Sequence, residues 1–193
     1  MNEEEALEKH FKEMTAKLTG KGSALATQRI QKDYAGLMAS SEFKDKVTVD
    51  FYRDNMYIWR VKFDLMKYEI TKTLREDFKA VAIKSAKDPS DLKIEYEVIF
   101  PENYPHQPPF IRVVFPRFAF RTGHVTVGGS ICMQSLTPSG WSSARSLESY
   151  FIEIISLINA GEARLDVNNS IPYTLQEAKD AFNRVARDHG WLK

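Results

Sequence analysis

Phe100-Pro101-Glu102-Asn103-Tyr104-Pro105-His106-Gln107-Pro108-Pro109-Phe110 is the stretch from which the fold of this chain can be read. Prolines at 105, 108 and 109 pin several backbone angles and remove amide donors, so the segment makes a rigid turn and not a continuation of either flank. The flanks alternate. Ile94, Tyr96, Val98 and Phe100 recur at every second position before the turn, and Phe110 to Phe115 forms a compact apolar run after it. That pattern predicts two strands joined by a stiff connector.

Outward from this pair, Lys46 to Tyr52 alternates through Val47, Val49 and Phe51, and Met56 to Leu65 continues through Ile58, Val61 and Phe63 after an Asp54-Asn55 turn. Glu69 to Ala86 changes period, and its Ile70, Leu74, Phe78, Val81 and Ala82 suit an amphipathic helix that Asp88-Pro89-Ser90 ends. Helical spacing also marks residues 1 to 22 (Leu7, Phe11, Met14, Leu18), Ala24 to Ala39 (Ala26, Ile30, Leu37, Met38), Glu148 to Ile158, and Thr174 to Asp188 (Leu175, Ala178, Phe182, Val185). Helix, four-strand meander, irregular segment and then helices describe an α+β domain on an antiparallel sheet.

Composition narrows the function. Of 193 residues, 27 are Lys or Arg and 26 Asp or Glu, a net charge of +1, so no global field draws the chain to nucleic acid or an anionic membrane. A hydrophobic share of 43% is enough to build a core without disulfides or a structural metal. A single cysteine cannot form an internal disulfide, which fits a cytoplasmic or nuclear compartment. The acidic, polar first residues resemble neither a secretory signal nor a transit peptide, and no apolar run approaches the ~20 residues of a membrane helix.

The stretch from Pro116 to Ser146 is long for a compact domain, and loops of that length usually carry function. It holds Thr126-Val127-Gly128-Gly129-Ser130-Ile131-Cys132-Met133. Two glycines before a cysteine permit a tight turn and close approach by another backbone, and a sulfur nucleophile suits a transferable acyl group. By residue type alone, Cys132 reads as readily as a small buried hydrophobe. His10, His106, His124 and His189 sit in no recognised protease signature, and four scattered histidines with one cysteine do not make a zinc site.

Past the cysteine comes Gly140-Trp141-Ser142-Ser143-Ala144. Taken together, the strand, the Tyr104-Pro105-x-x-Pro108-Pro109 turn, the Gly-Gly-x-Ile-Cys-Met segment and the tryptophan loop resemble the ubiquitin-conjugating enzymes over about Ala24 to Asp188, most closely the Q-type branch. The resemblance implies an α+β ubiquitin-conjugating fold over 23–193, with 1–22 as an N-terminal helical extension. It implies that Cys132 accepts ubiquitin, or a ubiquitin-like protein, as a thioester from an activating enzyme and passes it to an acceptor or a ligase. ATP would be used only by the activating enzyme, with no metal or cofactor on this chain. Gly128 and Gly129 would leave room for the incoming tail, and Trp141 would pack under its loop. Arg29 and Lys32, in Arg29-Ile30-Gln31-Lys32-Asp33, would dock the activating enzyme. Pro105, His106, Ser142 and Ser143 would face a ligase.

The chain departs from the family pattern at three places. Most members place an asparagine eight residues before the cysteine, within His-Pro-Asn; here Thr122-Gly123-His124 stands there. His124 would donate to the oxyanion or take the acceptor's proton, against the alternative of a loop histidine that caps a backbone carbonyl. His106 replaces a phenylalanine common in relatives and Ser143 a proline, which weakens an apolar ligase anchor. Asp166, in Ala163-Arg164-Leu165-Asp166-Val167, is the candidate for orienting the acceptor, or caps a turn with Asn168 and Asn169. The alternative function is a catalytically silent member of the fold that acts as a ubiquitin-binding or ligase-cofactor module.

Overall fold

Residues 22–191 are described by the structure, a computed structural model; the helix expected over 1–22 lies outside the described residues, Gly22 excepted. The elements are α1 (Ala24–Ala39), β1 (Val47–Phe51), β2 (Ile58–Phe63), α2 (Lys72–Lys84), β3 (Ile94–Ile99), β4 (Phe110–Phe115), α3 (Leu147–Ala160) and α4 (Leu175–Asp188). The four strands form one antiparallel sheet in the order β1-β2-β3-β4. This is the α+β meander expected from the alternation, with the α2 insert between β2 and β3.

Strand alternation decides which face is dry. In β2, Trp59, Val61 and Phe63 point inward and are fully buried, opposite Val98, Tyr96 and Ile94 of β3. The outward positions carry a charge ladder. Arg60 bonds Glu95 at 2.6 Å and Glu97 at 2.8 Å, and Arg112 bonds Glu97 at 2.7 Å. Helix α3 closes the inner face with Tyr150, Phe151, Ile154 and Ile158, and Phe151 packs on Phe63 at a ring separation of 5.1 Å.

The proline turn is welded to the helices. Trp59, Phe100, Tyr104, Trp141 and Tyr150 form a continuous series of ring contacts with successive centroid separations of 4.8, 4.9, 6.0 and 4.7 Å. The Trp141 indole N–H donates to the Pro105 carbonyl at 2.7 Å, and its ring stacks on Tyr150. Tryptophan thus packs between turn and helix, as its position in the loop implied.

Asp33, at 4% exposure, joins three segments. Its carboxylate accepts from the Tyr104 hydroxyl at 2.5 Å, from Arg29 Nε at 2.9 Å and from the Leu147 amide at the start of α3 at 3.1 Å. Arg29 in turn donates to the Ser143 and Arg145 carbonyls. Burial and the adjacent Asp33 carboxylate both push the Tyr104 hydroxyl's pKa up, so it stays a donor.

Helix α2 supports the segment that follows α3. Asp77 receives two bonds from Arg164, at 2.6 and 2.9 Å, and one from the Leu165 amide at 3.0 Å. Burial pushes the Asp77 carboxyl up, but these bonds outweigh it and hold the carboxyl below its ordinary value.

Asp33→Ala leaves a buried hydroxyl, an amide and a guanidinium without their shared acceptor, and we expect a loss of about 3–4 kcal/mol. Urea denaturation of wild type and variant measures it. A loss under about 1 kcal/mol would mean that Asp33 does not hold these segments together.

Candidate active site

The glycine-cysteine segment is positioned by the free edge of β4. Val113 donates its amide to Gly129 at 2.7 Å, Ile131 donates to Ile111 at 3.3 Å, and Arg112 pairs with Ser130. The segment then folds on itself. Val125 pairs with Ile131, Thr126 accepts from the Gly129 amide at 2.9 Å, and the Thr126 and Ser130 hydroxyls share a buried 2.7 Å bond. Gly129 sits at φ +94°, a conformation in which a side chain is strained. The Cys132 amide donates to the His124 carbonyl at 2.8 Å, which brings residues eight apart in sequence side by side.

Cys132 and His124 line one cleft of about 590 Å³. One wall is Phe120 to Val127, Gly161 adds to the lining, and the other wall is α4 with Ala181, Arg184, Val185, Asp188 and His189 at its end. Phe120 and Val127 are apolar and largely exposed, at 68% and 57%. Burial pushes the Cys132 thiol up from its ordinary value. His124 adopts φ +56°, is exposed, and its ring has no hydrogen-bond partner among the described residues. The ring therefore does not cap a carbonyl. It is the main chain of His124 that supports the cysteine.

These contacts show what surrounds each expected site residue. Gly128 and Gly129 are buried against other parts of the chain. A methyl on Gly128 would stand 2.1 Å from the Glu177 carbonyl oxygen, and one on Gly129 2.7 Å from the Tyr173 ring. Their missing side chains are needed to seat the turn against α4 and against the Tyr173 ring that precedes it. The Arg29 side chain is 16% exposed, and its guanidinium is bonded to Asp33, Ser143 and Arg145. Lys32, one residue before Asp33, is exposed. Asp166 caps its own turn, accepting from the Asn168 amide at 3.2 Å, while the Asn169 amide donates to its carbonyl at 3.1 Å, and it is not among the residues lining the cleft. Pro105 is buried under Trp141, so only His106, Ser142 and Ser143 of the supposed ligase-facing set reach the surface.

Sequence reasoning missed the wall formed by α4. Its Thr174-x-x-Glu177 start is a capping box, with Thr174 Oγ1 accepting from the Glu177 amide and Glu177 accepting from the Thr174 amide. That motif was readable and would have marked a firmly anchored helix. Which surface the helix covers was not readable.

Since the thiolate is the reactive form and burial raises the thiol's pKa, the nucleophile is scarce at neutral pH and accumulates as pH rises. We expect the rate of Cys132 alkylation by iodoacetamide to climb about tenfold per pH unit below its midpoint, and that midpoint to lie above that of an unburied thiol. A midpoint below the ordinary thiol value would show that a neighbouring cation, and not burial, governs the site.

Residues 81–189, from within α2 past the end of α4, match the family model for ubiquitin-conjugating enzyme. The chain is 34% identical over 175 residues to human ubiquitin-conjugating enzyme E2 Q1, covering 88% of this chain and 40% of that protein. It is 35% identical over 177 residues to ubiquitin-conjugating enzyme E2 25 of Caenorhabditis elegans, covering 88% of this chain and 44% of the relative. The chain therefore spans less than half the length of these relatives. A crystal structure of ubiquitin conjugating enzyme E2 from Plasmodium falciparum shares the fold, with a TM-score of 0.51 and 22% identity over 69% of this chain and 84% of that one. With the matched region enclosing β3, β4, the cysteine turn, the tryptophan loop, α3 and α4, the chain belongs to the ubiquitin-conjugating enzyme family, in its Q-type branch.

Proposed function

We propose that this protein is a conjugating enzyme that carries ubiquitin, or a ubiquitin-like protein, as a thioester on Cys132. The observation that supports this most directly is the placement of the chain's single cysteine, held by the β4 edge and the His124 carbonyl, on an open cleft in a chain of this family. In the first step Cys132 Sγ, as thiolate, attacks the carbonyl carbon of the thioester on an activating enzyme. The new C–S bond forms as the old one breaks, and the departing thiolate takes up the proton that Cys132 gave away. ATP is spent upstream, on the activating enzyme; this chain uses no metal or cofactor of its own.

In the second step an acceptor amine or hydroxyl, or a ligase cysteine, attacks the carbonyl carbon bound to Cys132. The C–S bond breaks, Cys132 leaves as thiolate, and the acceptor loses a proton. The His124 ring lines the same cleft and has no competing bond among the described residues, which suits it to take that proton or to donate to the oxyanion. Lys32, with the partly exposed Arg29 beside it, serves the activating enzyme's docking, and the exposed His106, Ser142 and Ser143 face a ligase. The reaction takes place in the cytoplasm or nucleus.

Incubation with activating enzyme, ATP and ubiquitin should give an adduct that reductant removes. Cys132→Ser should give a reductant-resistant ester, and Cys132→Ala none. Absence of any adduct with ubiquitin and with ubiquitin-like proteins would instead make the chain a binding module of the same fold. His124→Ala should load normally, while discharge of the preloaded enzyme onto free amine falls about tenfold or more. Unchanged discharge would remove His124 from the chemistry.

A further inference from the structure

The turn carrying Gly128 lies four residues before Cys132 and is pressed against α4. The Gly128 Cα faces the Glu177 carbonyl and Ala181, whose helix forms the far wall of the Cys132 cleft. Glu177 is also the residue by which the helix is fastened. Its two carboxylate oxygens accept from Arg117 at 2.9 and 3.1 Å, and one of them accepts from the Thr174 amide at 2.7 Å. Arg117 further donates to the Ile171 and Pro172 carbonyls, at 2.7 and 3.3 Å, and lies 4.4 Å from the centre of the Tyr173 ring.

One guanidinium thus grips the entry loop, the first turn and the aromatic anchor of α4. Arg117 immediately follows the β4 strand and its Pro116, so the grip refers α4 to the same edge that positions Cys132. Tyr173 completes the frame, its hydroxyl accepting from the Phe118 amide at 2.9 Å and its carbonyl accepting from Arg112 at 3.0 Å. Midway along α4, Phe182 packs edge-on against Phe110 at 5.7 Å. The wall is therefore held at its start and its middle, and the charged hold is the one at the start, beside the Gly128 turn.

From this arrangement we infer that Arg117 is a positioning residue of the Cys132 site: by clamping Glu177 it holds α4 as a fixed wall whose separation from the 120–127 loop sets what size of nucleophile or electrophile reaches the thiol. The role deepens the proposed function and rests on Cys132 being its reacting residue. Released from Arg117, the first turn of α4 keeps its own capping box but loses its register on the Gly128 turn. The cleft then widens on the α4 side, and the thiol becomes better hydrated. Hydrogen bonds from Thr174 and Arg117 hold the Glu177 carboxyl below its ordinary value against the opposing effect of burial, so the clamp is charged at neutral pH. The titratable and charged groups around the thiol are Arg121, His124, Arg184, Asp188 and His189.

The test uses two alkylating probes on the full chain, small iodoacetamide and bulky N-pyrenyl maleimide, each followed across pH. In wild type the bulky probe should be disfavoured. In Arg117→Ala the bulky-to-small rate ratio should rise about threefold or more, and the midpoint of the pH profile should move down, because relief of burial favours the thiolate. Arg117→Lys keeps the charge but not the forked donors and should fall between. Gly128→Ala pushes on α4 from the opposite side, and Glu177→Gln weakens the clamp without removing its shape; both should shift the ratio in the same direction. Any of these variants that keeps the wild-type melting transition together with the wild-type ratio and pH profile overturns the inference. Loss of the transition in all of them would assign the clamp to stability alone and overturn it as well. A wild-type chain that shows the size selectivity but accepts no modifier would remove the proposed function and leave the wall standing.

Discussion

A buried carboxylate, Asp33, is the constraint on which the arrangement of this domain depends. Left alone in an apolar interior it would be strongly destabilising, and it is tolerated because three donors, two of them from distant segments, converge on it. Those donors are a helix neighbour, the hydroxyl of the proline turn and the first amide of α3. Satisfying Asp33 therefore places α1, the Tyr104-Pro105 corner and the start of α3 relative to one another. The tryptophan loop follows, because Arg29 reaches its carbonyls and Trp141 reaches Pro105. Polar groups fix the geometry here, and the ring contacts around them supply the buried area.

The site is built on a second kind of support. A strand edge normally exposes unpaired amides and carbonyls. In this fold the edge of β4 is used to hold the Gly129–Ile131 segment, so the cysteine is tied to the sheet while facing an open cleft. The two glycines belong to that support. Gly129 accommodates the positive φ of the turn, and Gly128 admits the backbone of α4. Burial of the thiol is a consequence of the same close packing. It lowers the thiolate population of the resting protein.

Strand alternation in Val47–Phe51 and Ile58–Phe63, the proline turn and the helical stripe of Ala24–Ala39 were all legible, because local periodicity reports directly on which side of an element is dry. Cys132 and His124 were legible as neighbours of a long irregular stretch, and the resemblance supplied their pairing. For Arg29, Gly128, Gly129 and Asp166 the chain showed only that each needs a close contact. Arg29, Gly128 and Gly129 were read toward an incoming partner, and Asp166 toward an acceptor or a turn cap; the structure gives each a neighbour from the same chain, more than one hundred residues away in the case of Arg29 and Ser143. Residue type indicates that an arginine will find an acceptor and a glycine a close approach, and it is silent on whose.

By itself, the sequence determined the element order, the antiparallel meander and the family, since these depend on periodicity, turn chemistry and short-range motifs. Tertiary structure alone decided that α4 walls the cleft, that Arg117 and Glu177 fasten it there, and that Arg29 bonds to Ser143 and Arg145. Those outcomes depend on which distant donors and acceptors meet once the sheet and α3 have closed the core, and hydrogen bonds between residues so far apart leave no local pattern in the chain.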